Sequence, residues 1–567
     1  MGRCISPKTP RNSRSHSCPA AGPLHQPRVE RKACGLIGAP LIVSLAASAN
    51  NKTGEPLTRP GGEATPGEDT TEPAARKLGK REVLTIISGL ALAMFLSALN
   101  QTIVATALPT IGRAFNDFEN LSWVVIAYLL TSTVVAPLYG KLSDIYGRRG
   151  MMLVALGVFM AGSAAAAAAP SMIMLILARG LQGIGGGGIV PLSQSIIADA
   201  VPPRERGYYQ AYTGSIWVLA GAGGPVLGGV IAEHLHWSMI FWLNVPLTLV
   251  AALLSHRQLK RLPRHERAHK LDLVGAGLMM LAAVALLLAL TWGGTRYPWL
   301  SEQIAMLIVA AAAVSVLFIW WVLRAPEPFL PIAVLTNPVM RIGSITASCS
   351  QGVSIGLTIF VPLYYELVHG LSASDSGLAL IPIMVMVTPG SFMSSRAMLY
   401  TEHYKRVPLV LLILGAAAVG LLAFDPLMPL WGVLVVMGCV GLGAGSSYPT
   451  VTVSIQNAVA HRQVGIAMGT MNFFRALASA FVVAVMGAIM LAGLGAAPQR
   501  GAVSSTVVTA AVGAAPEQLV RTFGFIFAVA AGFLVLGIIA LIAMEERPLR
   551  ATVMDPAAHE PSAQPAE

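Results

Sequence analysis

Charge is what this chain of 567 residues has least of: Asp, Glu, Lys and Arg together make up 11%, where soluble domains carry about 25%. So few charged groups cannot cover a globule in water. Apolar residues at 55% and a mean hydropathy of +0.67 point to lipid as the main solvent. Cysteine is scarce as well. Cys4, Cys18 and Cys34 lie near the N-terminus and Cys349 and Cys439 in apolar runs, with neither metal-type spacing nor a disulfide framework. No Gly-x-x-x-x-Gly-Lys-Ser/Thr string occurs, so an ATP-driven pump would need a separate motor subunit. No acid–base constellation converges within the apolar spans, which argues against an intramembrane enzyme. The expectation is a protein that is not an enzyme, with no cofactor and no metal site.

What the chain has in quantity is apolar length. Beyond Val83, helical spans are expected near 83–108, 121–140, 150–169, 172–199, 208–232, 238–256 and 272–292, then 303–323, 342–366, 374–395, 408–424, 429–454, 466–494 and 520–544. Each is near or above the roughly 20 residues that cross a hydrocarbon core. Fourteen spans of about 23 residues take up about 320 of the roughly 485 positions beyond the first 80. Only connectors remain. Residues 1–80, rich in Pro, Ser, Gly, Arg and Thr without periodicity, read as a disordered tail. Inside it, Arg28, Arg31 and Lys32 precede an apolar run from Cys34 to Ala46 and then Ala47-Ser48-Ala49. This resembles a secretion signal but lies too far from Met1 for an ordinary one.

The 38 Lys and Arg exceed the 27 Asp and Glu, giving a formal net charge of +11. Nucleic acid is one explanation of such an excess; membrane topology is a better one. With the N-terminus inside, the cytoplasmic connectors receive Lys141, Arg148, Arg149, Arg204, Arg206, Arg257, Lys260, Arg261, Arg264, Arg267 and Lys270. They also receive Arg324, Arg341, Arg396, Lys405, Arg406, Arg462, Arg547 and Arg550. The outer ones receive only Arg113, Arg296, Arg500 and Arg521. The expected organisation is a six-helix bundle over 81–256, a basic loop with two inserted helices over 257–340, a second six-helix bundle over 341–546, and a cytoplasmic tail over 547–567. Six-plus-six arrangements of this kind rock around a central site.

The most informative polar string is Gly140-Lys141-Leu142-Ser143-Asp144-Ile145-Tyr146-Gly147-Arg148-Arg149, expected as a loop between the second and third spans. Gly140 and Gly147 allow a tight turn and close helix approach. Asp144 can accept from a helix N-terminus or pair with a cation. Such a cluster can latch two bundles on one side and release them as they rock.

This string resembles the loop signature of the major facilitator superfamily. Three further segments are similar to its 14-helix drug:proton antiporter group, the EmrB/QacA-like multidrug efflux transporters. They are Leu99-Asn100-Gln101-Thr102-Ile103-Val104-Ala105-Thr106-Ala107-Leu108-Pro109, Arg179-Gly180-Leu181-Gln182-Gly183-Ile184-Gly185, and Gly224-Pro225-Val226-Leu227-Gly228-Gly229. The likeness covers about residues 80–545. It implies an all-α membrane protein of the major facilitator fold, 14 transmembrane helices in a 6 + 2 + 6 order.

Arg179 carries a guanidinium into an apolar helix, where it costs several kcal/mol without a polar cavity or a partner. Spacing puts it on one side of its helix with Gln182 and Gly183. The resemblance implies a part in proton coupling or in sensing substrate charge. Gly183–Gly188 also fits Gly-x-Gly-x-x-Gly, but no strand precedes it, so helix packing is the better reading. Gly224 and Gly228 make a Gly-x-x-x-Gly face around Pro225, with Gly229 adjoining; the antiporter likeness implies a pliable helix that limits proton leak. At Asn100 the sequence departs from the group, which commonly has Asp there, and an amide cannot titrate. Glu366 is an alternative proton site. Asn100, Gln101, Thr102 and Tyr128, with Trp123 and Trp217, are candidates for a substrate cavity. The resulting expectation is a multi-pass inner-membrane exporter with both termini cytoplasmic. It would move amphipathic drugs or metabolites outward in exchange for protons. A more specific metabolite or siderophore-type exporter and an uncoupled facilitator stand as alternatives. Its partners would be those small molecules, protons and the lipid bilayer, with a periplasmic adaptor left open and nucleic acid excluded.

Overall fold

The computed structural model of the protein describes residues 80–261, 271–494 and 515–550. The expected N-terminal tail, most of the basic loop and all but the first four residues of the expected C-terminal tail lie outside them. Among the described residues, 14 helices are long and apolar enough to cross a membrane. We number them α1 (Lys80–Phe115), α2 (Trp123–Tyr146), α3 (Arg148–Ala167), α4 (Met172–Ala200), α5 (Pro203–His234), α6 (Met239–Gln258) and α7 (Leu273–Trp292). There follow α8 (Glu302–Val322), α9 (Pro338–His369), α10 (Ile381–Tyr400), α11 (Arg406–Phe424), α12 (Leu430–Ala458), α13 (Val464–Gly493) and α14 (Pro516–Ala543).

The packing repeats. In the first six helices, α1 packs on α5 and α6, α2 on α4, and α3 on α4 and α6. In the last six, α9 packs on α13 and α14, α10 on α12, and α11 on α12 and α14. Adding eight to each number of the first set gives the second. The two halves meet through α2 against α13 and α5 against α10, which is the same pairing read from either side. Helices α7 and α8 pack on each other, and α7 also touches α2 and α13. Helix α8 turns Val309 and Val316 outward, as a lipid-facing helix does.

At two boundaries the helix runs on past a residue expected to end it, for one reason. Pro109 lies inside α1 and Gly140 inside α2, where both were expected to end spans. Neighbouring helices satisfy the backbone around such residues in a membrane bundle. The string Gly140–Tyr146 is therefore helix, not loop. The break comes at Gly147, whose φ of 88° lies in the left-handed region that favours glycine.

Connector arginines and lysines gather at one end of the bundle, here called the basic face. Arg149 meets His256 there, and Arg204 N–H donates to the Arg550 carbonyl. The opposite end, with Arg113, Arg296 and Arg521, is the far face.

Candidate functional site

The two halves are held together at the basic face. The Asp144 carboxylate, near the end of α2, accepts N–H from Gly465 at 3.2 Å and Ile466 at 2.9 Å, in the first turn of α13. It thus sits where a helix N-terminus welcomes negative charge. Arg148 lies 3.5 Å away and also pairs with Asp199 at the end of α4. Asp199 in turn lies 3.3 Å from His461, which precedes α13. Asp144 thus accepts from a helix N-terminus across the seam and pairs with a cation, Arg148, within its own half. Gly140 serves close approach: a Cβ there would run into the Gly465 carbonyl. Arg149 reaches His256 instead, within its own half.

A second contact line joins α5 to α10. Ser395 Oγ donates to the Gly207 carbonyl at 2.6 Å, and Gly214 faces Ser391. The stretch after α14 ties both halves from below. Asn457 Nδ2 donates to the Pro548 carbonyl and Tyr404 Oη to the Arg547 carbonyl. Lys405 donates from its backbone to Glu546 and from Nζ to the Met544 carbonyl; partial burial pushes its ammonium below the usual lysine value, with Glu546 opposing. Toward the far face, α1 and α9 make no extensive contact. The α5–α10 line continues toward the far face, where a Cβ on Gly221 would touch Met384.

Within the first half, Arg179 is 1% exposed and donates three hydrogen bonds. Its Nε donates to the Val124 carbonyl at 2.9 Å, and NH1 donates to Asn100 Oδ1 at 3.1 Å and Gln182 Oε1 at 2.5 Å. The guanidinium lies 4.4 Å from the Tyr128 ring centroid, a cation–π distance. Asn100 Oδ1 also accepts from Gln182 and Asn244, so three donors converge on one oxygen. Asn100 Nδ2 is buried with no acceptor.

Asn100 and Tyr128, expected on a substrate cavity, are thus 0% and 1% exposed inside this network. Polar groups in an apolar bundle are satisfied by one another first. Thr102 Oγ1 is taken up by the Ala220 carbonyl of α5, while Gln101 keeps open surface. Trp123 packs on Trp292 of α7, and Trp217 on Ala98, Leu99 and Ala220. Gly224 and Gly228 lie against Thr102, Ile103 and Thr106 of α1, whereas Pro225 is exposed and Gly229 has open space beside it. Gly183, Gly186, Gly187 and Gly188 press on α2 and Gly185 on α3, as helix packing requires. Glu366 is half-buried one turn before the far-face end of α9, away from Arg179 in the other half.

One group escaped the sequence reading. Arg475 lies well inside α13, roughly 17 Å along it from its start, and donates to Asn472 Oδ1 at 2.7 Å. The signal was available, since the argument made for Arg179 applies to any arginine in an apolar span.

The chain's own family model confirms the architecture: residues 90–483 match that of the Major Facilitator Superfamily. The chain belongs to this superfamily. It is 33% identical to the Multidrug transporter protein MdtP of Bacillus subtilis over 74% of this chain and 77% of that one. Multidrug resistance protein 3 of the same organism is 31% identical over 71% and 79%. Among solved structures, the human organic anion transporter MFSD10 matches with a TM-score of 0.55 at 18% identity, covering 80% of this chain and 99% of that one. The proton:xylose symporter XylE matches at 0.54 and 14%, covering 81% and 96%. Identities this low speak for the fold alone.

The superfamily consists of transporters, and this chain is no enzyme. Two hydrolase-like strings are nonetheless present. Gly352-Val353-Ser354-Ile355-Gly356 fits Gly-x-Ser-x-Gly but lies within continuous helix α9, where Ser354 Oγ donates to the Ser350 carbonyl. The nucleophile elbow it imitates needs a strand-to-helix turn. His265-Glu266-Arg267-Ala268-His269 fits His-Glu-x-x-His and lies outside the described residues, in the basic loop.

Proposed function

We propose that this membrane transporter exports amphipathic compounds, including drugs, from the cytoplasm by alternating access in exchange for protons. The basic face is assigned to the cytoplasm on the positive-inside rule, which puts both termini there and makes the membrane the inner one. The carrying observation is the seam: Asp144 of one half caps α13 of the other at the basic face. Such an end contact can break and reform as two rigid halves rock. Relatives described as multidrug transporters support the substrate class. Arg179, Gln182 and Gly183 would stiffen the first half, and Gly224 and Gly228 would let α5 slide on α1. The domain division 81–256, 257–340 and 341–546 follows the two repeats and the inserted pair.

An uncoupled facilitator is the second reading. It is favoured by Asn100 and by the placement of every described Asp and Glu within about one turn of a helix end or in a connector. A compound-accumulation panel in a pump-deficient host separates the two. Export predicts lower accumulation of several amphiphiles than in the empty host, and antiport predicts that a protonophore abolishes the difference. Unchanged accumulation across the panel would overturn active export and leave the facilitator; lowered accumulation that a protonophore does not abolish would overturn proton antiport.

A further inference from the structure

The membrane interior holds two arginines far from any helix end, Arg179 and Arg475, and their settings differ. Arg179 is sealed inside the first half, where its Nε and NH1 make three hydrogen bonds. Arg475 is half-buried, and its guanidinium makes one hydrogen bond, to Asn472 Oδ1, while lying 5.1 Å from the Tyr448 ring centroid. The fork's other N–H groups remain uncommitted.

What holds Arg475 is rigid and spans the seam. Asn472 Nδ2 donates to Gln194 Oε1 at 2.6 Å and to the Met468 carbonyl at 2.8 Å. Gln194 Nε2 donates to Tyr448 Oη at 2.7 Å, and Gln456 Nε2 to the Gln194 carbonyl at 3.1 Å. Gln194 belongs to α4 in the first half; Tyr448, Gln456 and Asn472 belong to the second. This amide–phenol layer bridges the two halves. Arg475 is one turn further along α13 from Asn472, so it lies on the far-face side of that layer, between the two halves' shared network and the far face.

No carboxylate among the described residues lies in a span interior to neutralise it. An uncompensated guanidinium in a low-dielectric site costs free energy that an anionic ligand recovers. Its planar fork also matches a carboxylate or sulfonate bidentately, and the Tyr448 face beside it suits an aromatic body. We propose that Arg475, positioned by Asn472, Gln194 and Tyr448, is the headgroup subsite for anionic amphiphiles bearing a carboxylate or sulfonate. Cationic amphiphiles are disfavoured there. This names the substrate class of the exporter proposed above and rests on that reading.

The test uses two dyes with one xanthene frame and opposite charge, carboxyfluorescein and a cationic rhodamine ester. Their binding to the purified full-length chain in nanodiscs is followed by fluorescence anisotropy, which needs no transport. The wild-type protein should bind the anion more tightly. Arg475→Gln should weaken that binding about tenfold or more, the size of one lost charge-assisted hydrogen bond, with rhodamine binding unchanged or improved. Arg475→Lys should restore part of the loss. Equal affinity for both dyes in the wild type, unaltered anion binding in Arg475→Gln, or equal loss of both dyes would overturn the subsite. Vesicles under an imposed pH gradient then test export separately. Arg475-dependent anion binding without movement of either dye would uphold the subsite and refute the exporter.

Discussion

Replacing Asp144 by Asn removes one charge from the seam and nothing from the topology. The carboxylate accepts from two backbone N–H groups at the start of α13, and its side chain is 10% exposed. An amide keeps one acceptor and turns an NH2 toward the other N–H. One charge-assisted hydrogen bond is lost, worth about 1.5–3 kcal/mol, and the other falls to the neutral range of about 0.5–1.5 kcal/mol. The favourable charge at the helix N-terminus, about 0.3–1 kcal/mol, goes as well. Allowing for partial relaxation, the basic-face-closed state should lose about 2–3 kcal/mol, a population shift of roughly 30- to 150-fold. Nitroxides at Tyr146 and Tyr400, exposed on that face in different halves, report the change by pulsed EPR. Asp144→Asn should lengthen and broaden their separation, and transport should fall while membrane insertion stays normal. A variant with the wild-type distance distribution and wild-type efflux would refute the latch.

Three other outcomes follow from the same contacts. Arg179→Ala leaves Val124 O, Asn100 Oδ1 and Gln182 Oε1 each short of a donor, a cost of at least about 3 kcal/mol; transport should nearly vanish and the unfolding midpoint in detergent should drop, with Arg179→Lys restoring only part because an ammonium lacks the planar fork. Asn100→Asp exchanges an orphaned donor for an oxygen beside Arg179, so the variant should unfold no earlier than wild type, and a substrate spectrum unchanged toward cations would fit its full burial. Deleting residues 2–76, ahead of the first span and of Lys77, Lys80 and Arg81, should leave efflux in the accumulation assay near wild type.

The spans were legible because lipid selects crudely: about 20 apolar residues suffice, whatever their order. Their ends were not, because Pro109 and Gly140 end helices in water but not where a neighbouring helix supplies the missing contacts. Asp144 could be read from one acid among basic and glycine residues. Its partners could not, since they are backbone groups more than three hundred positions away, Gly465 and Ile466. Arg179 and Gln182 were legible from helical spacing, whereas Asn100 and Tyr128 looked accessible until three facing helices covered them. The layer through Gln194, Tyr448, Asn472 and Gln456 carries no charge and no motif, so nothing in a single sequence ties those residues together.

Where a proton could be carried is constrained by that charge distribution. Among the described residues, carboxylates stand at helix ends or in connectors, so a proton and a substrate do not compete for one acid beside Arg475. Asp199 and Glu366 mark two contrasting placements. Asp199 joins Arg148 of its own half to His461 of the other; protonating it would loosen the seam, coupling protons to the opening of the basic face. Glu366 stands near the far-face end of α9, where protonation would act on the opening side instead. Vesicles with an imposed pH gradient distinguish them through Asp199→Asn and Glu366→Gln. Each variant keeps shape and hydrogen-bonding capacity but cannot titrate. The seam placement requires that Asp199→Asn flatten the dependence of efflux rate on the gradient while Glu366→Gln leaves it intact. The reverse pattern would move coupling to the far end of α9. Two variants that both respond to the gradient as wild type does would remove these acids from coupling altogether, and wild-type efflux indifferent to the gradient would make the protein a facilitator.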